Sequence, residues 1–376
     1  MASREQVVAY RAAVHGLTGA GVGATPDAGA VLDVGAQDHP IGATARLALE
    51  LRGAGGADMV LVHSVRAAMH LHRSADLGLL AAALRIDDGA ELAQQSIGPF
   101  GQEIGPRFGT GLDEVAAVMA DVMSDGRPRT KGELSGAVSP RVARALAPWC
   151  EGCGVHHVHD ALFRFATLQA GLTIEVESPR VFRFLPPTAP VRRRGGPERV
   201  DDRGTRESRA QVVRRFVHAA GPVRPAHLAA WLSLTPSAAG GWWSLVEDEL
   251  HPVTVDGRKG WMLAADMPLL EDPPEPPELR LLGPYDPVTE VVDRELLLPD
   301  AGDRRRVWSP AGNPGIVLRD GEIAGTWRRR AAKGRLDIAV TTFDGLPDGW
   351  ADAIHGDAQA VGRFFGASDV RVGMAS

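Results

Sequence analysis

Three neighbouring residues near the amino end, Gln37, Asp38 and His39, carry side chains that could activate a water molecule. A glutamine amide donates and accepts hydrogen bonds at once, so it can orient a water. A carboxylate can take a proton, and a neutral imidazole can act as a base. The same residues also suit a turn that caps a helix, with Pro40 at the first helical position. Catalysis and capping both stay open at this point.

A second polar group, Arg66, His70 and His72, follows a predicted strand at 59–65. If that strand continues, both histidines point to the same side, because side chains alternate along a strand. We expect Arg66 to contact a phosphate, and the histidines to line a pocket or hold a phosphate. The alternative is a buried, hydrogen-bonded histidine pair without chemistry.

Two cysteines, Cys150 and Cys153, precede three histidines, His156, His157 and His159. Soft ligands at this spacing suit zinc. A structural zinc site usually takes its second ligand pair from farther along the chain, and the sequence has no second Cys-x-x-Cys pair. The sequence therefore favours a reduced thiol pair, or histidines near phosphate, and predicts no metal site. Zinc stays open as the alternative.

Positive charge is concentrated in arginine clusters, although the 376-residue chain has a net charge of −6. Residues 192–215 hold nine arginines against four acidic residues, and residues 319–335 hold six basic residues against two acidic ones. Arg304–Arg306 form a third cluster. Such clusters on an acidic protein are typical of a molecule that contacts a polyanion with one face. Solvated linkers and exposed strand faces are the plainer interpretation.

Composition excludes several classes of protein. Hydrophobic residues make up 44% of the chain, which is enough for a core and argues against disorder. The longest apolar stretches, such as 77–84, are too short to span a bilayer, so no membrane partner is predicted. Two cysteines exclude a disulfide scaffold and suit the cytoplasm, and the first residues resemble a helix start rather than a signal peptide.

Helical and strand patterns divide the chain into blocks. Ser3 and Gln6 form a capping-box pattern before an amphipathic helix at 4–16. Two later stretches each show three helices followed by a hairpin, which is the winged-helix order. The first has helices at 130–138, 139–149 and 157–170 and strands at 172–177 and 181–185; the second has helices at 208–220, 225–232 and 237–250 and strands at 253–255 and 260–263.

The predicted fold class is α+β: tandem winged-helix motifs with a C-terminal β-rich segment and a closing helix. An acidic, proline-rich linker at 267–279 precedes the C-terminal part. The predicted domains are an N-terminal winged-helix-like block with the Gln37-Asp38-His39 motif at 1–128, a second winged helix at 129–190, a third at 207–266 and a C-terminal α/β block at 280–376.

Short motifs follow one another along nearly the whole chain. They include Gly35-Ala-Gln-Asp-His-Pro40, Arg66-Ala-Ala-Met-His-Leu-His72, Asp160-Ala-Leu-Phe-Arg164, Leu282-Gly-Pro-Tyr-Asp-Pro287 and Asp320-Gly-Glu-Ile-Ala-Gly-Thr-Trp-Arg328. In this order they resemble the winged-helix family of AlkZ/YcaQ-like alkylpurine DNA glycosylases.

The resemblance implies a monofunctional DNA glycosylase that hydrolyses the N-glycosidic bond of alkylated purines. N7-alkylguanine is the expected lesion, including bulky antibiotic adducts, in DNA repair or self-resistance. Alkylation at N7 gives the base a positive charge, so it leaves as a neutral molecule and needs little acid catalysis. A positioned water and groups that stabilise the oxocarbenium character at C1′ matter more.

The resemblance also implies double-stranded DNA as the partner, no cofactor, a monomer and a cytoplasmic, nucleoid-associated location. The alternative function is a non-catalytic winged-helix DNA-binding protein or transcriptional regulator.

Two registers carry the family's catalytic motif onto this chain. In the favoured one, Gly35 takes the place of the family's first glutamine and Gln37 is the second. In the other, Gln37 is the first and His39 the second. The predicted catalytic residues are Gln37, His39 and Asp38. The predicted DNA contacts are Arg66, His70, His72, Arg164, Arg192, Arg193, Arg305, Arg306, Arg328 and Arg329.

Overall fold

A computed structural model of the chain describes residues 1–18, 29–54, 58–178, 181–187, 202–290 and 293–375. The chain divides into two compact units. Unit 1 comprises Met1–Ala57, Arg214–His227 and Asp248–Ser376, and unit 2 comprises Asp58–Val213 and Leu228–Glu247. No helix in the described ranges combines the length and the apolar character needed to cross a bilayer.

The described residues form 17 α-helices. They are α1 (Arg4–Val14), α2 (Ala30–Val34), α3 (Ala45–Glu50), α4 (Leu77–Ala83), α5 (Gln94–Ile104), α6 (Phe108–Val122), α7 (Lys131–Val138), α8 (Asp160–Gln169), α9 (Asp202–Ala220), α10 (Pro225–Leu232), α11 (Pro236–Trp243), α12 (Met267–Glu271), α13 (Pro287–Glu290), α14 (Arg294–Leu297), α15 (Ala301–Val307), α16 (Trp350–Ala353) and α17 (His355–Phe364).

Most of the described strands are two to six residues long, and the two longest lie near the carboxyl end. The strands are β1 (Ala36–Gln37), β2 (Met59–His63), β3 (Met69–Arg73), β4 (Trp149–Cys150), β5 (Val155–His156), β6 (Thr173–Ser178), β7 (Val181–Leu185), β8 (Leu250–Val255), β9 (Arg258–Leu263), β10 (Leu279–Leu282), β11 (Gly315–Arg319), β12 (Glu322–Ala332), β13 (Arg335–Thr342) and β14 (Asp369–Met374).

Unit 1 is built on a five-stranded sheet in the order β10-β11-β12-β13-β14. Neighbouring strands are antiparallel except β13 and β14, which run parallel. One face of the sheet and α17 enclose a core that includes Trp327, Ile338 and Val361. Leu47 of α3 and Leu51, the residue that follows α3, belong to the same core, so this packing fixes the helix that follows the Gln37-Asp38-His39 motif.

Unit 2 contains the antiparallel strands β3, β2, β6 and β7, in that order. Helices α6 and α8 pack against each other, and Phe163 of α8 contacts Phe184 of β7 with ring centroids 5.8 Å apart. Buried residues at helical spacing on α6, among them Phe108, Leu112 and Val115, supply the opposing surface.

Many of the predicted elements are confirmed. Ser3 caps α1 through the predicted capping box. Helix α10 has the predicted bounds, and the hairpin β8–β9 turns at Asp256-Gly257, where both residues have positive φ. Positive φ at two successive positions is what such a tight hairpin requires. The mixed α/β character of the chain is confirmed; the tandem winged helices and the domain boundaries stay predictions.

The predicted helix at 139–149 is wrong. The segment forms two short 3-10 turns, Ser139–Arg141 and Arg144–Leu146, and then enters β4. Pro148 lacks the N–H that a helix would need, and Trp149–Cys150 pairs instead with Val155–His156. Farther towards the amino end, β3 runs to Arg73, and a 3-10 turn at Ser74–Asp76 leads into α4.

Candidate active site

The segment 37–45 of unit 1 is a turn held by two polar side chains. The carboxylate of Asp38, which is buried, accepts hydrogen bonds from the backbone N–H of Gly42 (2.6 Å), Thr44 (3.1 Å) and Ala45 (3.2 Å). The hydroxyl of Thr44 accepts from the N–H of His39 (2.8 Å) and donates to the carbonyl of Gln37 (2.9 Å). The turn therefore fixes the backbone on both sides of Asp38.

His39, at the exposed edge of this turn, lines a cavity of about 480 Å³ within unit 1. The lining comes from the turn, from the loops at 284–285 and 311–315, from β12 and from the end of α17. The lining residues are His39, Pro40, Ala43, Thr44, Leu47, Pro284, Tyr285, Ala311, Gly312, Asn313, Pro314, Gly315, Trp327, Arg328, Arg329 and Phe365. A concave site of this size, mostly apolar with a few polar groups, is typical of a ligand site.

Tyr285 packs against His39 in the wall of this cavity. The two rings meet edge to face with centroids 5.1 Å apart. Tyr285 has φ of +58°, a backbone conformation that a bulky residue adopts only when its surroundings impose it. Such strain at a cavity wall is consistent with a functional position rather than a packing role.

A buried ion pair lies directly beside Tyr285 in the sequence. Asp286 pairs with Arg52 through two hydrogen bonds of 2.8 and 2.9 Å, and both side chains are fully buried. Arg52 also donates to the carbonyls of His15 (2.7 Å) and Ala48 (2.8 Å). Each nitrogen of the Arg52 guanidinium and each carboxylate oxygen of Asp286 has a hydrogen-bond partner, so the pair holds the 285–286 loop against the end of α3.

The basic wall of the cavity is the middle of β12. Trp327 is buried and donates from Nε1 to the carbonyl of Leu282 (2.9 Å), and its ring lies against Gly315, where a Cβ atom would come within 2.2 Å of the indole. The next two residues, Arg328 and Arg329, are exposed at the cavity. The Arg329 guanidinium lies 3.6 Å from the centroid of the Phe365 ring, a cation–π contact.

Gln37 and Asp38 have different surroundings from His39. Gln37 is half-buried and is absent from the residues that line the cavity. Asp38 uses both carboxylate oxygens on backbone N–H groups of its own turn. In the described part of the chain, no carboxylate lines the cavity, and His39 is the only imidazole that does.

Arg66, His70 and His72 lie in unit 2. Arg66 has φ of +56° in the turn before β3 and donates to the carbonyl of Trp231 (2.8 Å). His70 is buried and bonds the carbonyl of Ala68 through Nδ1 (3.0 Å), and burial holds the pKa of its imidazole well below the usual value. His72 is buried and bonds the hydroxyl of Ser64 (2.9 Å). This arrangement matches the buried, hydrogen-bonded pair that the sequence left as the alternative.

The remaining predicted DNA contacts are spread over several elements. Arg164 lies half-exposed on α8 and pairs with Asp160 one turn earlier (2.7 Å). Arg305 and Arg306 are exposed on α15, where Arg306 also lies over the Phe343 ring at 4.7 Å. Arg192 and Arg193 lie outside the described residues. Of the predicted set, the structure brings together only His39, Arg328 and Arg329 within one described cavity.

Sequence reasoning missed the aromatic and amide residues of this cavity, chiefly Tyr285, Asn313 and Phe365. Asn313 donates from its backbone N–H to the Tyr285 hydroxyl at 3.4 Å. A signal existed for Tyr285, since the chain has only two tyrosines and this one stands between two prolines in a Gly-Pro-Tyr-Asp-Pro run. No comparable signal marks Phe365, which reaches the cavity only through the packing of α17.

Comparison with known proteins gives one family and one similar structure. The sequence profile of the family described as "DNA glycosylase AlkZ-like" matches residues 39–364. The structure of the DNA glycosylase AlkZ of Streptomyces sahachiroi is similar in fold, with 22% sequence identity, full coverage of both chains and a TM-score of 0.72. A search of curated proteins finds no match. The resemblance predicted from the motifs is thus confirmed: the chain belongs to the AlkZ-like DNA glycosylase family.

Proposed function

We propose that this chain hydrolyses the N-glycosidic bond of an alkylated purine in duplex DNA, with the lesion-bearing nucleotide in the cavity beside His39. The observation that carries the proposal is the position of His39, which a locked turn holds at a cavity with Arg328 and Arg329 on another wall. Membership of a DNA glycosylase family indicates the type of reaction. The cavity beside His39 supports the location that we propose for it.

The residues that line the cavity favour a substrate whose base is a good leaving group without protonation by the enzyme. In the described lining, no carboxylic acid is available to protonate a neutral purine. An N7-alkylpurine needs no such proton, because its positive charge is lost when the bond breaks. What remains is to position a water near C1′, which a neutral imidazole does by accepting the water's proton in a hydrogen bond.

The arginines belong at phosphates rather than at the sugar. A guanidinium next to C1′ would repel the positive charge that develops there. Placed at a flanking phosphate, the same group forms charge-assisted hydrogen bonds and positions the DNA strand. We therefore assign Arg328 and Arg329 to phosphate contacts and His39 to the reacting centre.

We favour the register in which Gln37 and His39 are the two motif residues, with His39 at the reacting centre and Gln37 outside the cavity lining. Gly35 has φ of +83° and ψ of +136°, a conformation that glutamine adopts only with strain. His39 lines the cavity and Gln37 lies two residues earlier on the same turn. In this proposal Asp38 is a positioning residue, because its carboxylate holds the turn.

The proposal extends to the DNA contacts outside the cavity, the oligomeric state and the cofactor requirement. The winged helix at 129–190 would place Arg164 at the duplex, and Arg305 and Arg306 of α15 would contact phosphates from the C-terminal block. We propose a monomer that acts near the nucleoid without a cofactor. A lyase step through a lysine Schiff base is not proposed, because no lysine lines the described cavity.

The assay is incubation with duplex DNA that carries one N7-methylguanine or one bulky N7-alkylguanine. We expect a free modified base and an alkali-labile abasic site, and the two lesions separate small from bulky substrate preference. Borohydride should trap no covalent complex. Binding to the duplexes without release of either base would favour the alternative, a non-catalytic DNA-binding protein.

A further inference from the structure

Three possible metal ligands meet at a short hairpin of unit 2. The ligand atoms of Cys150, Cys153 and His157 all lie within 4.8 Å of one another. Zinc–sulfur and zinc–nitrogen bonds of about 2.3 and 2.0 Å place the ligand atoms of a tetrahedral site about 3.5 to 3.8 Å apart. Small side-chain rotations would therefore bring the three atoms to a common ion.

The backbone of the hairpin already has the shape of a metal-binding turn. Strands β4 and β5 pair Cys150 with Val155, and the carbonyl of Cys150 accepts from the N–H of Cys153 (3.2 Å) and of Gly154 (2.8 Å). Gly154 has φ of +64°, a conformation that favours glycine. The thiolate is the form of a cysteine that binds a metal.

His157 is oriented as a metal-binding histidine would be. Its Nδ1 lies 2.8 Å from the carbonyl oxygen of Val158. A carbonyl oxygen can only accept, so Nδ1 carries the hydrogen, and in the neutral ring the lone pair is on Nε2. A histidine ligand is commonly fixed in this way, with the second nitrogen bonded to a backbone carbonyl.

The donor set selects the kind of ion. Two thiolates and one imidazole are soft or borderline ligands, which suit zinc and are poor ligands for magnesium or calcium. Two thiolates also neutralise a divalent cation. Both cysteines are free rather than joined in a disulfide, so both sulfur atoms are available.

We propose that Cys150, Cys153 and His157 bind one zinc ion, with water at the fourth position. The ion would join the β4–β5 hairpin to the residues that lead into α8, which begins at Asp160 three residues after His157. Helix α8 packs against α6, so the ion would stabilise the segment that connects the hairpin to a core helix. This proposal replaces the sequence-based expectation of a reduced thiol pair and is independent of the proposed base excision.

The first test measures metal in the full chain, purified without a histidine tag. We expect about one zinc per chain by mass spectrometry, and loss of the zinc in the Cys150→Ser/Cys153→Ser double variant. His157→Gln should weaken binding at least tenfold, by analogy with the loss of other groups that support metal sites. The matched control is His156→Gln, the neighbouring histidine outside the ligand group, which should keep its zinc.

A second measurement does not depend on the folding of variants. Titration of the metal-free wild-type chain with Co²⁺ should give a thiolate-to-cobalt charge-transfer band and the intense visible bands of tetrahedral cobalt, saturating at one equivalent. A wild-type chain that takes up neither zinc nor cobalt would overturn the proposal. So would ready formation of an intramolecular Cys150–Cys153 disulfide in glutathione buffer without zinc uptake, which would assign a redox dithiol instead.

Discussion

At the scale of single residues, the site depends on side chains that hold others in place. His39 is exposed at the cavity, whereas Asp38 and Thr44 are buried and bonded to the backbone around it. Arg52 and Asp286 do the same for the loop that carries Tyr285, whose ring contacts His39. In the proposed site, the reacting group and its positioning residues are therefore different residues, and substitutions should separate their effects.

Asp38→Ala tests this division of roles. The change leaves three backbone N–H groups without their carboxylate, and we expect the free energy of unfolding to fall by about 3 kcal/mol. Asp38→Asn should cost less, because the amide oxygen still accepts from Thr44 and Ala45. Urea denaturation measures both, with the exposed Asp348→Ala as the control. Unchanged stability in Asp38→Ala would contradict the positioning role.

At the scale of elements, β12 connects the core to the surface of the site. Trp327 anchors the strand in the core and Arg328 and Arg329 follow it at the cavity. The long antiparallel pairing of β12 with β13 from Gly325 to Ala332 keeps this register fixed. A slip of one residue would bury an arginine and expose the tryptophan.

The salt dependence of DNA binding tests the assignment of these arginines. Each phosphate contact that is lost reduces the slope of log K against log salt by about 0.9, so Arg328→Ala/Arg329→Ala should reduce it by about 2. The double lysine variant keeps the charge and should keep most of the slope. Arg371→Ala, exposed on β14, is the control. An unchanged slope in the double alanine variant would place the phosphates elsewhere.

At the scale of the whole molecule, both units contain buried neutral histidines. Burial lowers the pKa of His15 in unit 1 to about 4, and that of His63 in unit 2 to about 3. His15 donates from Nε2 to the carbonyl of Ala219 (2.9 Å), and His63 bonds the hydroxyl of Thr167 (2.9 Å). Neither site offers a carboxylate hydrogen bond that would stabilise the imidazolium form.

The lowered pKa values of His15 and His63 predict a smaller free energy of unfolding in mild acid. Below about pH 6.5 the unfolded chain binds protons that the folded chain does not, so the free energy of unfolding falls as the pH falls. We expect a loss of about 1.4 kcal/mol per histidine at pH 5.5. His218 acts in the opposite direction, because its hydrogen bond to Asp266 raises its pKa.

Denaturation midpoints at pH 7.5 and 5.5 measure the effect. His15→Gln keeps a hydrogen-bond donor for the Ala219 carbonyl and removes the titration of His15, so it should reduce the pH dependence without abolishing it, because His63 and His70 are also buried. Equal midpoints at both pH values in the wild-type chain would show that these imidazoles are not held neutral.

The sequence predicted local structure better than it predicted the site. Ser3 with Gln6 and Asp256-Gly257 have local causes, a capping box and a tight turn, and both were found where expected. The helix prediction for 139–149 was wrong, because the end of this segment pairs with Val155–His156 across a turn. Tyr285 and Phe365 reach the cavity through tertiary packing from distant parts of the chain, which no local pattern encodes. His39 and Arg328 were named from the motif and the charge clusters.

The most direct test of the account is the single-turnover rate of base release from N7-methylguanine DNA by His39→Ala. We predict a fall of about 100-fold or more, with DNA affinity changed by no more than a few-fold, because a water-positioning base typically contributes that much. The rate of Gln37→Ala should fall less, because Gln37 does not line the cavity, and the rate of His355→Ala, at an exposed histidine on α17 away from the cavity, should match the wild type. Release by His39→Ala at the wild-type rate would contradict the assignment of this cavity as the reacting centre.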